Sequence, residues 1–141
     1  MIPFSDPLAS YQAHKEEIDQ AIQRVLESGW FVLGKEVDAF EKEFAAFHGD
    51  DFHGVGVANG TDAIALCLRG LDLDTGDEVI TPSHTAVATI AGIEQAGCTP
   101  VFADIDPNSR CIDPKSIKER VSSNTRAIMT VHIYGQPAEM Y

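Results

Sequence analysis

Between His53 and Gly135, short apolar runs alternate with stretches whose apolar residues recur at helical spacing. "HGVGVAN" (53–59) reads as a strand, "TDAIALCLRGL" (61–71) as a helix and "GDEVITP" (76–82) as a second strand. "HTAVATIAGIEQAG" (84–97) reads as a helix, "TPVFADID" (99–106) as a third strand, "DPKSIKERV" (113–121) as a short helix and "TRAIMTVHIYG" (125–135) as a fourth strand. The links between them are brief and carry Gly, Pro or Asp. Strand, helix and strand in repetition are the mark of successive βαβ units, because parallel neighbours need a crossover and a helix supplies it. The strands are near-continuous apolar runs, as expected when helices cover both faces of the sheet. The expected fold is α/β, three-layered, with a mainly parallel sheet.

The part before His53 follows a different rule. "AHKEEIDQAIQRVLESG" (13–29) places Ile18, Ile22, Val25 and Leu26 on one side of a helix, and Gly29 is a natural stop. After "WFVLG", the run "KEVDAFEKEFAAFHG" (35–49) aligns Val37, Phe40, Phe44 and Phe47 on one face, with Gly49 as terminator. That stripe is expected to pack in a core. The organisation expected is a helical N-terminal segment over 1–50 followed by βαβ units over 51–141.

Charge and composition exclude some functions. A net charge of −12 does not suit a nucleic-acid partner, which needs a basic face. It also gives an anionic small molecule no general attraction, so any such site has to be local. No apolar span is long enough for a membrane helix, and "MIPFSDPLASYQ" lacks the charged-then-apolar form of a signal peptide, so a cytoplasmic protein without membrane contact is expected. Cys67, Cys98 and Cys111 form no CxxC pair; Cys67 and Cys98 are expected to be small buried residues. The five histidines have no zinc-binding spacing, and no metal site is expected.

Open parallel sheets collect ligands at the carboxyl ends of their strands. Those ends carry Asn59-Gly60-Thr61-Asp62, Pro82-Ser83-His84-Thr85, Asp104-Ile105-Asp106 and His132-Ile133-Tyr134-Gly135. The first has two possible meanings. Asn, Thr and Asp are good helix caps, and a cap alone contributes about 1 kcal/mol. Alternatively, the free amides and positive dipole end of the helix seat a phosphate, with Gly60 allowing close approach. This stretch alone leaves the two level. Gly54, Gly56 and Gly60 also come near a dinucleotide fingerprint, but the first two fall inside the expected strand, and no lysine is placed for a P-loop.

Several segments taken in order add a resemblance. "SGWFVLGKEVDAFEKEFAAFHG", "VGVANGTDAIALCLRGL", "GDEVITPSHTAVATIAGIEQAG", "PVFADIDP" and "VHIYGQPAEM" resemble, over nearly the whole chain, the N-terminal part of the DegT/DnrJ/EryC1/StrS family of sugar aminotransferases. The resemblance implies the incomplete large domain of a fold-type-I transferase that uses pyridoxal 5'-phosphate. It implies amino transfer from glutamate or glutamine to a keto sugar, usually nucleotide-linked, for polysaccharide or antibiotic sugars, by a homodimer. The cofactor would serve as electron sink while protein groups hold and tune it. "NGTDA" matches the family's phosphate loop, so Gly60, Thr61 and Asp62 are the cofactor-binding candidates. "TPSHTAVAT" matches the segment under the cofactor ring. The family's usual stacking aromatic is replaced there by Ala86, and His84 is the residue with a plane to offer. Trp30 and Gly34 match a region near the sugar nucleotide, and His132 and Tyr134 are expected to line the pocket floor.

The resemblance also places the family's Schiff-base lysine, and the aspartate that pairs with the ring nitrogen, beyond Tyr141. None of Lys15, Lys35, Lys42, Lys115 and Lys118 matches the Schiff-base position, so no catalytic residue is assigned and this span alone is expected to be inactive. The first strand is expected to lose its sheet neighbours, leaving a raw edge and an uncovered apolar face. Two other functions compete: a non-catalytic relative that binds cofactor or sugar nucleotide for regulation, and a nicotinamide-dependent oxidoreductase.

Overall fold

The structure, a computed structural model, describes residues 4–140 and falls into two compact units that meet in sequence at Gly56 and Val57. Each is described by itself.

The first unit is helical. Helix α1 (Pro7–Ala13) was not legible in the hydrophobic pattern, although its start is well specified: Asp6 accepts a hydrogen bond from the Ala9 amide, and Pro7 takes the first helical position. Helix α2 (Lys15–Ser28) ends on Gly29 in the left-handed conformation, and α3 (Lys35–His48) ends on Gly49. Arg24 on α2 grips Glu36 on α3 with both forks, at 2.9 and 3.1 Å. The pairing raises the Arg24 pKa and lowers that of Glu36.

The expectation of a phenylalanine core is corrected here. Neither α2 nor α3 holds a buried residue, and Phe40, Phe44 and Phe47 stay exposed. Phe40 and Phe44 stack on each other one turn apart, at 5.6 Å between rings, and His48 meets Phe44 edge-on at 4.8 Å.

The second unit is the α/β part. A parallel sheet of three strands runs in the order β2 (Thr99–Ala103), β1 (Glu78–Pro82), β3 (Thr125–Ile128). Central strand β1 is buried from Val79 to Pro82, and its alternate residues serve opposite faces. Val79 packs with Leu68 of α4 (Gly60–Arg69), Ile93 of α5 (Val87–Gln95) and Cys98 on one side. Ile80 packs with Ala103 and Ile112 on the other, where Ile117 of α6 (Pro114–Arg120) closes over them. Burying Val79, Ile80 or Ile93 stabilises by about 1.5–3 kcal/mol each. Helices on both faces make the three layers expected.

Three boundaries differ from the sequence reading. Residues 53–59 form no strand: they join no ladder, and a parallel strand without neighbours has no hydrogen bonds to define it. The expected strand over 125–135 stops at Ile128. The Met129 amide still donates to the Ile80 carbonyl at 2.8 Å, but the next rung needs an N–H from Pro82, which has none. Helix α5 starts at Val87, so His84 lies in the bend before it. Of the cysteines, Cys98 is buried as expected and Cys67 is exposed on the outer side of α4, a correction. Cys111 is buried, and its thiol donates to the Gln136 carbonyl at 3.4 Å, tying the 105–112 hairpin to the chain's last segment.

Candidate functional site at the start of α4 and the end of β1

The stretch Asn59-Gly60-Thr61-Asp62 is both a cap and an open donor set. Asn59 is the N-cap: its side-chain oxygen accepts from the Asp62 amide at 2.9 Å, and its side-chain nitrogen donates to the Asp62 carboxylate at 3.0 Å. Asp62 is thereby committed, by amide and carboxylate, to the helix start. The amides of Gly60 and Thr61 have no partner among the described residues, nor does the Thr61 hydroxyl. Gly60 is exposed, and a Cβ built on it meets nothing within 4 Å. Two N–H groups at the positive end of a ten-residue helix, with a hydroxyl beside them, fit the oxygens of a phosphate.

Packing fixes where α4 begins. A Cβ on Gly92 of α5 would lie 2.6 Å from Ile64 Cγ2 and 3.0 Å from the Thr61 carbonyl oxygen. The glycine lets the two helices touch backbone to side chain, which holds the first turn of α4 in place. Gly54 and Gly56 have another task. A Cβ on Gly54 would collide with the Glu41 carbonyl, and the Gly56 amide donates to the Glu41 carboxylate at 2.6 Å. Their spacing serves contact with α3.

At the end of β1, His84 is half-buried and meets Tyr134: Tyr134 Oη lies 3.2 Å from His84 Nε2, and the rings meet edge-on at 5.7 Å. Tyr134 sits at φ 55°, ψ 22°, inside a single 3-10 turn (Ile133–Gly135). His132 is engaged elsewhere, its Nδ1 accepting from the Ala138 amide at 2.9 Å. Asp106, at the end of β2, accepts from the Asn108 and Ser109 amides at 2.9 and 2.8 Å. Those bonds, Ser109 first, hold its carboxyl below the ordinary 3.8, and they give it a turn-forming part.

Trp30 and Gly34 belong to the first unit, where they touch each other. A Cβ on Gly34 would lie 2.9 Å from the Trp30 carbonyl oxygen, and the indole N–H donates to the Val32 carbonyl at 2.6 Å. Both line a cavity of about 580 Å³ with Arg24 and Val25. The pairing of His84 with Tyr134, fifty residues apart, had no sequence signal. The cap identity of Asn59 did, in its place just before the helix. Among the described residues no three His, Cys, Asp or Glu side chains cluster as metal ligands, and no helix is long and apolar enough to cross a membrane.

Comparison with known proteins gives this geometry its setting. The chain is 49% identical over 140 residues to dTDP-3-amino-3,6-dideoxy-alpha-D-galactopyranose transaminase from Aneurinibacillus thermoaerophilus, covering 99% of this chain and 38% of that protein. Its fold matches the crystal structure of DesV from S. venezuelae with a TM-score of 0.92 at 45% identity, over 99% of this chain and 37% of the other. It matches the structure of NtdA from Bacillus subtilis with bound cofactor PMP at a TM-score of 0.84 and 34% identity, over 91% of this chain and 29% of that one. The chain thus spans little more than a third of the proteins it resembles, and the α/β part is consistent with a partial fold-type-I domain. The model of the DegT/DnrJ/EryC1/StrS aminotransferase family matches residues 12–141, and the chain belongs to that family.

Proposed function

We propose that the protein transfers an amino group from glutamate or glutamine to a nucleotide-linked keto sugar, using pyridoxal 5'-phosphate. The observation that carries this is the pair of amides at Gly60 and Thr61 without partners among the described residues, at the exposed start of a helix in a chain of this family. Family membership, and a relative whose product is a dTDP-linked amino sugar, support the substrate class. The neighbour with bound PMP supports the cofactor, since PMP is the aminated form of pyridoxal phosphate.

The Gly60 and Thr61 amides and the Thr61 hydroxyl hold the cofactor phosphate, and Asn59 and Asp62 keep those donors in place by capping the helix. Bound there, the cofactor supplies an electron sink that stabilises negative charge on the carbon losing its proton. His84 borders the ring, His132 and Tyr134 line the floor, and Trp30 and Gly34 border the sugar nucleotide. The helical segment over 1–50 and the βαβ units over 51–141 are parts of one large domain. The protein works as a cytoplasmic homodimer, and this span alone is inactive because it carries no Schiff-base lysine.

The test uses the full-length protein with pyridoxal phosphate, glutamate and a dTDP-linked 3-keto sugar, measuring 2-oxoglutarate release. Formation of 2-oxoglutarate that depends on the sugar supports the proposal. Saturable cofactor binding without amino transfer to any keto sugar supports the regulatory alternative. Failure to bind pyridoxal phosphate overturns the cofactor assignment.

A further inference from the structure

The chain holds three asparagines, Asn59, Asn108 and Asn124, and they differ in what the next main-chain amide does. The Ser109 amide is bonded to the Asp106 carboxylate at 2.8 Å, and the Thr125 amide to the Ser122 carbonyl at 3.3 Å. The Gly60 amide has no partner among the described residues, and a glycine has no side chain to crowd its nitrogen. Asn59 and Gly60 are both exposed. A main-chain nitrogen that follows asparagine can close a five-membered ring onto the side-chain Cγ, and of the three only Asn59 has that nitrogen free of a hydrogen bond among the described residues.

The two hydrogen bonds that cap α4 serve the same reaction. The Asp62 amide donates to Asn59 Oδ1 at 2.9 Å, so it stabilises that oxygen as attack on Cγ turns it anionic. The Asp62 carboxylate accepts at 3.0 Å from Nδ2, the nitrogen that has to leave.

We infer that Asn59 is a self-modification site: the Gly60 nitrogen displaces the side-chain nitrogen of Asn59 as ammonia, and a phosphate bound to the Gly60 amide prevents it. The Gly60 N–H gives its proton to solvent base as the bond from its nitrogen to Cγ forms. The Cγ–Nδ2 bond breaks, Nδ2 takes a proton handed on by the Asp62 carboxylate, and ammonia departs. Water then opens the cyclic imide at either carbonyl, leaving an aspartyl or an isoaspartyl link at position 59. Nothing is oxidised or reduced. Either product adds a carboxylate close to that of Asp62, beside the amides that seat a phosphate. An empty seat therefore ages and loses its affinity, while a filled one does not age. The modification follows from Asn59, Gly60 and Asp62 alone, and its control by ligand rests on the phosphate seat proposed above.

The test incubates the full-length protein, freed of cofactor, at mildly alkaline pH and follows the three asparagines by peptide mass spectrometry. Asn59 converts about two- to tenfold faster than Asn108 or Asn124, the factor by which a hydrogen bond holds an amide back. Pyridoxal phosphate and inorganic phosphate both slow it, and Gly60→Ala slows it through the added methyl group. Asp62→Asn keeps the amide donor, removes the carboxylate and slows conversion at Asn59 without changing that at Asn108. Asn59→Asp still caps the helix and melts with its parent, yet binds inorganic phosphate about tenfold more weakly because of the added charge. Conversion at Asn59 no faster than at the other two overturns the inference. Conversion unchanged by phosphate, at concentrations where titration calorimetry shows it bound, overturns it as well and puts that phosphate away from Gly60. A parent protein that binds neither ligand overturns the phosphate seat, while fast conversion confined to Asn59 still upholds the modification.

Discussion

Replacing Gly92 by alanine sets two effects against each other, and the structure says which wins. Alanine in a helix interior is favoured over glycine by about 1 kcal/mol. The new Cβ would lie 2.6 and 2.7 Å from Ile64 Cγ2 and Cβ, and 3.0 Å from the Thr61 carbonyl oxygen. Neither Ile64 Cβ nor a main-chain oxygen is the free end of a flexible side chain, so relief requires α4 to move off α5. Overpacking of this kind costs about 1–3 kcal/mol, and the upper end applies because backbone must shift. The expected net loss is about 2 kcal/mol, read as a lower urea midpoint at constant slope. Gly92→Ala combined with Ile64→Ala should lose less than the sum of the two single changes, since the second removes Cγ2, the nearest of the colliding atoms, while Cβ stays. The same shift displaces the Thr61 amide, so phosphate binding should weaken together with stability. A Gly92→Ala chain as stable as its parent, or more stable, would refute the reasoning, because the helix preference of alanine would then have prevailed over contact.

Three further outcomes are expected. Asn59→Ala removes the cap on the Asp62 amide and should cost about 1 kcal/mol, with faster hydrogen exchange confined to the first turn of α4; uniform exchange would contradict it. Thr81→Val replaces a fully buried hydroxyl that has no hydrogen-bond partner among the described residues, and should raise stability by about 1 kcal/mol or more, whereas a clear loss in denaturant melts would reveal a partner. Asp106 has a depressed pKa in the folded chain, so its stabilising effect is present above 3.8 and fades as pH falls through the lower folded value; Asp106→Asn should remove that acid dependence, measured as melting temperature against pH.

The sheet was legible where local chemistry and neighbours agree. "EVITP" and "TPVFA" are apolar, β-branched and flanked by turn residues, and they pair as read. The segment 53–59 has the same look but forms no strand, because a ladder requires partners that this chain does not provide. The phenylalanine stripe of α3 shows the matching limit for helices: spacing establishes an apolar face, while burial depends on what is placed against it. The phosphate loop was legible as a cap or a seat, since both use the same residue types, and only the hydrogen-bond partners separate Asn59 from Gly60 and Thr61. Pairing of His84 with Tyr134 was beyond reach. It depends on a left-handed residue in a segment that alternation alone marks as extended.

The link between Cys111 and the Gln136 carbonyl makes that thiol a clock for the chain's last stretch. Cys111 is only 2% exposed and its thiol is bonded to the Gln136 carbonyl, so it reacts with a labelling agent only while that stretch lifts away. Its alkylation rate therefore counts openings of the tail next to Tyr134, with no probe added to the molecule.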